Sequence, residues 1–229
     1  MEEYQQSSLS PMWKDGNSKV SLFTGKNVLA LGSHPDDLEI GCLGTLLKYR
    51  QNMDSLHCHI FTSGGTGDIS NGYADRRTES KLALECIHSN TLCISDNIGM
   101  MSDRYHLYVR EIEHIVRDYD INMVLITSSH HTHQDHRLLH DVTMTALRRT
   151  RATVLCYGET SNTLNFNPRL FVDIEKFLDV KMQALQMHKS QSHKFYMQPS
   201  YINASHADSY AFAHGLSCVE KFEIERIFI

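Results

Sequence analysis

The segment Val28-Leu29-Ala30-Leu31-Gly32-Ser33-His34-Pro35-Asp36-Asp37-Leu38-Glu39 constrains the fold more than any other part of the chain. Its apolar run is too short for a helix and reads as a buried strand. Pro35 has no N–H to give to a ladder and biases His34 towards an extended backbone, so the strand stops there. Asp36 or Asp37 is then placed to N-cap a helix predicted from Leu38 to about Tyr49. In an open α/β sheet ligands bind at the carboxyl ends of strands, which is where this turn falls. Taken alone, the turn is equally well explained as the capped start of a surface helix.

A second stretch repeats the pattern. Met123-Val124-Leu125-Ile126-Thr127 leads into His130-His131-Thr132-His133-Gln134-Asp135-His136, ahead of a helical pattern in Leu138, Leu139, Val142, Ala146 and Leu147. Two strand ends carrying imidazoles and carboxylates can converge on one divalent metal. Neutral imidazole plus carboxylate, without thiolate, suits a catalytic zinc with three protein ligands and an open fourth position.

The remaining chain alternates strands with helices. Strands are predicted at Leu56–Thr62, Thr91–Ile94, Thr153–Tyr157 and Leu170–Asp173, with a last one around Val219 to Ile227. Helices are predicted from Arg76 to about His88, over Tyr108–Tyr119, from Ile174 to about Gln191, and around Ala204–His214. This alternation argues an α/β, three-layer, Rossmann-like fold: a mostly parallel sheet with helices on both faces. Residues 25–229 read as one domain, and residues 1–24 as a polar extension whose Trp13, Leu22 and Phe23 dock on the domain or on a neighbouring subunit. Ser63-Gly64-Gly65-Thr66-Gly67-Asp68, at the same sheet edge as the first histidine motif, reads as an active-site loop in preference to a plain mobile one, and no pattern completes a phosphate cradle.

Composition narrows the partners. A net charge of −5 argues against a nucleic-acid surface. No apolar run reaches the length of a membrane span, and the N-terminus lacks signal-peptide regions. The six cysteines include no Cys-x-x-Cys pair and read as reduced, which points to the cytoplasm. Histidines without clustered partners (His57, His59, His88, His114, His140 and those after residue 187) read as structural or solvent-exposed rather than as ligands.

With these residues in view the chain resembles the PIG-L/LmbE family of zinc-dependent N-deacetylases. The resemblance rests on His34-Pro35-Asp36-Asp37 with Glu39-Ile40-Gly41, on His133-Gln134-Asp135-His136, on Arg77-Thr78-Glu79, and on Val219-Glu220-Lys221-Phe222-Glu223. It implies the same Rossmann-like fold and the removal of an N-acetyl group from an N-acetylglucosaminyl small molecule. It also implies Zn2+, or another divalent ion such as Fe2+, held by His34, Asp37 and His136. In these roles Asp36 is the general base, His133 stabilises the oxyanion, and Asp135 hydrogen-bonds a histidine, His133 being expected, fixing its tautomer and favouring its protonated form. Arg77 matches the arginine that holds sugar hydroxyls, and a homo-oligomer, trimer or hexamer, is implied.

The chain departs from common family patterns near the expected substrate position. His131 stands where some members carry tyrosine, which makes it a candidate substrate contact, placed to hydrogen-bond the oxyanion or to reach the metal. Cys218-Val219-Glu220-Lys221-Phe222 replaces a common Tyr-Ala-Glu-x-Phe, and the glycine-rich loop holds more small residues than usual. An amidase releasing a larger acyl group and a non-catalytic metal- or carbohydrate-binding protein of the same fold are the competing readings. Asp36 speaks against the latter, since a binding module has no need of a non-ligand carboxylate beside the metal.

Overall fold

The computed structural model describes residues 21–65 and 76–228. The elements in chain order begin with β1 (Asn27–Gly32), α1 (Asp37–Gly41), α2 (Leu43–Tyr49), β2 (Ser55–Ile60), α3 (Arg77–Leu84), β3 (Thr91–Ile94) and α4 (Tyr105–Asp118). They continue with β4 (Met123–Thr127), α5 (Gln134–Ala146), β5 (Thr153–Tyr157), β6 (Leu170–Asp173), α6 (Leu178–Gln186), α7 (Pro199–His206), α8 (Ser209–Ala213) and β7 (Val219–Arg226). One seven-stranded sheet runs β3-β2-β1-β4-β5-β7-β6. The first five strands in that order are parallel, and β7 enters antiparallel between β5 and β6.

The strands alternate because both faces of the sheet are covered. Val28 and Ala30 of β1 pack with Leu38, Leu43, Leu46, Ala83 and Ala184, so α1, α2, α3 and α6 form one outer layer. Leu29 and Leu31 point the other way, onto Val109, Ile112, Leu139 and Val142 of α4 and α5. Strands buried on both faces read as continuous apolar runs, which is how β1 and β4 appear in the sequence. The strand order reverses between β1 and β4, so the two histidine-bearing turns leave the sheet side by side at its switch point.

Several helices differ from expectation. The helix predicted from Leu38 to Tyr49 breaks at Cys42, whose φ of −145° is not helical. The second half starts afresh where the Glu220 carboxylate accepts the N–H groups of Gly44 (2.8 Å) and Thr45 (2.7 Å). The helix predicted over Ala204–His214 is two helices. Pro199 opens α7 at a position that needs no N–H, and the Asp208 side chain caps α8 by accepting from Tyr210 and Ala211. Phe23, assigned by sequence to the extension, is 1% exposed and stacks on Tyr49 at 4.7 Å, while Leu22 packs against the same core. Residues 1–20, with Trp13, and residues 66–68 of the glycine-rich loop lie outside the described residues. All six cysteines are free. No helix among the described residues is long and apolar enough to cross a membrane.

Two residues of the matched motifs serve the fold. A Cβ on Gly41 would lie 2.2 Å from the Tyr157 ring, whose hydroxyl donates to the Leu31 carbonyl at 2.6 Å. Glu39 is fully buried, accepts from Ser80 at 3.1 Å, and pairs with His188 at 2.9 Å. It thereby joins α1 to α3 and to the segment after α6.

Candidate active site

The turn after β1 does not cap its helix with a side chain. Asp37 Oδ2 reaches back to accept the N–H groups of Ser33 (2.7 Å) and His34 (2.9 Å), which fixes the loop and aims the carboxylate beside the His34 ring. Asp36 adopts φ 114°, a left-handed conformation that costs energy for any residue with a Cβ. There its carboxylate meets Arg76, with Nη2 3.1 Å from Oδ1.

Both histidine turns meet in one cavity of about 270 Å³, lined by His34, Asp36, Asp37, His131, His133 and His136 among others. His34 Nδ1 lies 3.2 Å from His136 Nε2, and Asp37 Oδ2 is 3.8 Å from the first and 3.5 Å from the second. Metal–ligand bonds of about 2.0–2.1 Å in a tetrahedron separate neighbouring ligands by roughly 3.3–3.5 Å. These three atoms therefore have the dimensions of one face of a zinc-sized site. His133 also brings a donor within reach of His34 and His136.

The far side of each imidazole is held by a carboxylate. His34 Nε2 faces Asp135 Oδ2 at 3.3 Å, and His136 Nδ1 faces Glu159 Oε2 at 3.0 Å, with Thr127 Oγ1 at 3.2 Å. Such partners fix which ring nitrogen is left for a metal and raise its basicity. Burial disfavours the charged ring of His34, but bonds to Asp135 and Asp37 outweigh it and raise its pKa to about 10. At His136 burial is likewise overcome, by Asp37 and Glu159, and the pKa rises to about 9. Asp37 is driven up by burial yet held well below the usual carboxylate range by His136 and His34. Burial pushes the Asp36 carboxyl up, against the pull of Arg76.

Asp135 serves a different histidine from the one expected. Its carboxylate goes to His34 and to the Met100 N–H (3.0 Å), while its backbone N–H donates to His133 Nδ1 at 3.2 Å. Accepting that bond leaves the proton of neutral His133 on Nε2, and burial with the neighbouring His34 and His136 lowers its pKa to about 4. His133 is thus a neutral donor rather than a cation stabilised by Asp135. His131 is 4% exposed, stacks on His136 at 4.1 Å, and accepts the His133 N–H at 3.0 Å.

The arginine of the site is Arg76. It is buried, lines the cavity, and also donates to the Pro35 carbonyl. A Cβ at Gly64, which has φ +74°, would meet its Nε at 2.5 Å, so a glycine of the predicted loop is what gives the guanidinium room. Arg77, the residue singled out from sequence, pairs with Asp96 and is not among the residues lining the cavity. Sequence reasoning also left Glu159 without a role. Cys218 is buried in the core rather than at the cavity.

A doubly wound sheet with a His/carboxylate donor cluster at its switch point defines a class of α/β proteins suited to holding a metal at a small-molecule site. The chain belongs to the PIG-L family: the model described as GlcNAc-PI de-N-acetylase matches residues 29–147. A similar curated protein is the uncharacterized deacetylase YaiS of Escherichia coli (strain K12), 30% identical over 175 residues, 72% of this chain and 91% of that one. Among solved structures, N,N'-diacetylchitobiose deacetylase from Pyrococcus horikoshii superposes with a TM-score of 0.70 at 21% identity, covering 87% of this chain and 83% of that one. GalB, the 4-carboxy-2-hydroxymuconate hydratase of Pseudomonas putida, superposes with a TM-score of 0.74 at 17% identity, covering 89% and 98%. One frame thus carries different reactions in different proteins, and the reaction has to be argued from the site.

Proposed function

We propose that this chain is a metal-dependent N-deacetylase acting on an N-acetylglucosaminyl small molecule, releasing acetate and a free amino sugar. The observation that carries the reading is the division of labour among four carboxylates. Asp135 and Glu159 orient His34 and His136, Asp37 completes the donor triangle with them, and Asp36 stands in the same cavity outside that triangle. His34, Asp37 and His136 would hold the ion. When bound, a divalent ion polarises the amide carbonyl and makes water a better nucleophile near neutral pH. Asp36 accepts the proton of the attacking water and returns it to the leaving amine. The Nε2–H of His133 donates to the oxyanion, a contribution of about 3–4 kcal/mol. Arg76 holds the Asp36 carboxylate and presents its edge to the cavity. The cavity volume of about 270 Å³ falls just below the usual range for ligand sites, which suits a single sugar unit.

The test is acetate release from N-acetylglucosamine and a panel of its glycosides and nucleotides, by native, chelated, and zinc- or iron(II)-restored protein. Activity should vanish on chelation and return with metal. Metal bound without acetate from any panel member, but with release of a longer acid from N-acyl analogues, would replace this reading with the amidase one.

The two arginines give a sharper prediction. Arg76→Ala removes a charged hydrogen bond to Asp36, worth about 1.5–3 kcal/mol, so activity should fall by about 10- to 100-fold. Arg77→Ala breaks an ion pair whose Asp96 side chain is 85% exposed. Such pairs contribute little, and kcat/KM should stay within about twofold of the parent enzyme. The reverse ranking would return the substrate role to Arg77.

A further inference from the structure

We propose that Cys156, His140 and Glu225 form a second divalent-metal site, selective for a thiophilic ion such as zinc and sharing no ligand with the active site. The donor atoms of the three residues lie within 4.8 Å of one another. His140 sits on α5, four residues beyond His136, and its Nε2 is shut off from solvent with no hydrogen-bond partner. Glu225 Oε2 is 3.7 Å from that nitrogen, too far for a hydrogen bond but suited to two ligands of a shared ion. Cys156 lies on β5, buried on the same side of the sheet as α5.

The backbone accounts for this convergence. Leu155 pairs with Ile224 and Val154 with Arg226, so Glu225 is the extra residue of a β-bulge in β7. Bulges re-aim the side chain they carry. The neighbouring Glu223 is already engaged by Ser128 (2.5 Å), His130 (3.1 Å) and the Asn167 N–H (2.8 Å), which leaves Glu225 as the carboxylate for the cluster. Burial lowers the pKa of His140 despite Glu225, so the ring is neutral and ready to ligate. Burial and the two glutamates hold the Cys156 thiol protonated. On binding, the S–H bond breaks, a sulfur–metal bond forms, and the proton leaves to water. Thiolate, imidazole and carboxylate together favour zinc over magnesium or calcium, and partly exposed Glu225 leaves a fourth position to water. The ion would tie α5 to β5 and β7, and so buttress His136 and Glu159. His140 carries no sequence signal for this, because its partners are 16 and 85 residues away.

The experiment is a cobalt(II) titration of the metal-stripped full chain under a thiol-free reductant. The active-site donors include no thiolate, so sulfur-to-cobalt charge-transfer absorption in the near ultraviolet does not arise there, and Cys156→Ser separates the contribution of Cys156 from those of the other five free cysteines. The band should appear in the parent protein, persist in His34→Ala, and be lost in Cys156→Ser. If Cys156→Ser does not fold, His140→Gln decides: second-shell changes already cost about 10–100-fold in metal affinity, and loss of a ligand should cost at least as much. Absence of the band at saturating cobalt, or its survival in folded Cys156→Ser or at unchanged affinity in His140→Gln, overturns the proposal.

Discussion

Asp36→Asn should lower kcat by about 10²- to 10⁴-fold, the usual contribution of a positioned general base, while the protein keeps its metal. Asparagine is the substitution to use because it is isosteric and tolerates a left-handed backbone as readily as aspartate does. The φ of 114° at this position would penalise most other side chains. An amide oxygen can still accept from Arg76 Nη2, so the guanidinium now 3.1 Å from Oδ1 need not move. What asparagine cannot do is take a proton. Since Asp36 stands outside the triangle of His34, Asp37 and His136, metal content should equal that of the parent, and KM should change little. Steady-state kinetics with metal analysis on the same samples check both halves. Loss of metal together with activity would make Asp36 a ligand; activity within tenfold of the parent would remove it from the chemistry.

The parts of this site that were legible in sequence are those fixed by local chemistry. A short apolar run closed by a turn at proline gives a strand end, and β1 extends the expected Val28–Leu31 by one residue at each end. β3, β4, β5 and β6 fall where expected as short apolar runs, although no proline closes them. Two such ends carrying imidazoles and carboxylates were enough to place a donor cluster, because a parallel sheet collects all its strand ends on one side.

The rest depended on residues brought together by topology. Glu159 follows β5 with no neighbouring donor, and only the pairing of β5 beside β4 carries it to His136. The resemblance gives Asp135 a histidine partner, expected to be His133, but the Met100 N–H and the His34 ring, both remote in sequence, draw its carboxylate elsewhere. Arg76 and Arg77 differ by one position at a helix start. Successive residues there diverge by about 100°, so one enters the cavity and the other points to Asp96. The break at Cys42 was invisible for a similar reason. The group that starts α2 anew is Glu220, 176 residues from Gly44.

That glutamate sets the second large effect: Glu220→Ala should destabilise the fold by about 3–5 kcal/mol, the cost of breaking a buried ion pair from one side. Glu220 and Lys181 are 2.6 Å apart, with side chains 1% and 0% exposed. Removing the carboxylate strands a buried ammonium and leaves the Gly44 and Thr45 N–H groups without their acceptor. For a chain of this size a loss of 1 kcal/mol lowers Tm by about 2–4 °C, so a fall of roughly 6–20 °C is expected in a thermal melt. Lys181→Met should cost less, because the orphaned carboxylate keeps both N–H donors, although the Ile40 carbonyl loses the lysine donor at 2.7 Å. The double variant Glu220→Leu with Lys181→Met should recover part of the loss and no more. It restores charge balance, but the helix start and the Ile40 carbonyl remain unpaired. Equal shifts for the two single variants would mean that the ion pair, rather than the cap on α2, carries the energy. A drop confined to Glu220→Ala would assign it to the cap, and with it the placement of α1, whose first residue is Asp37.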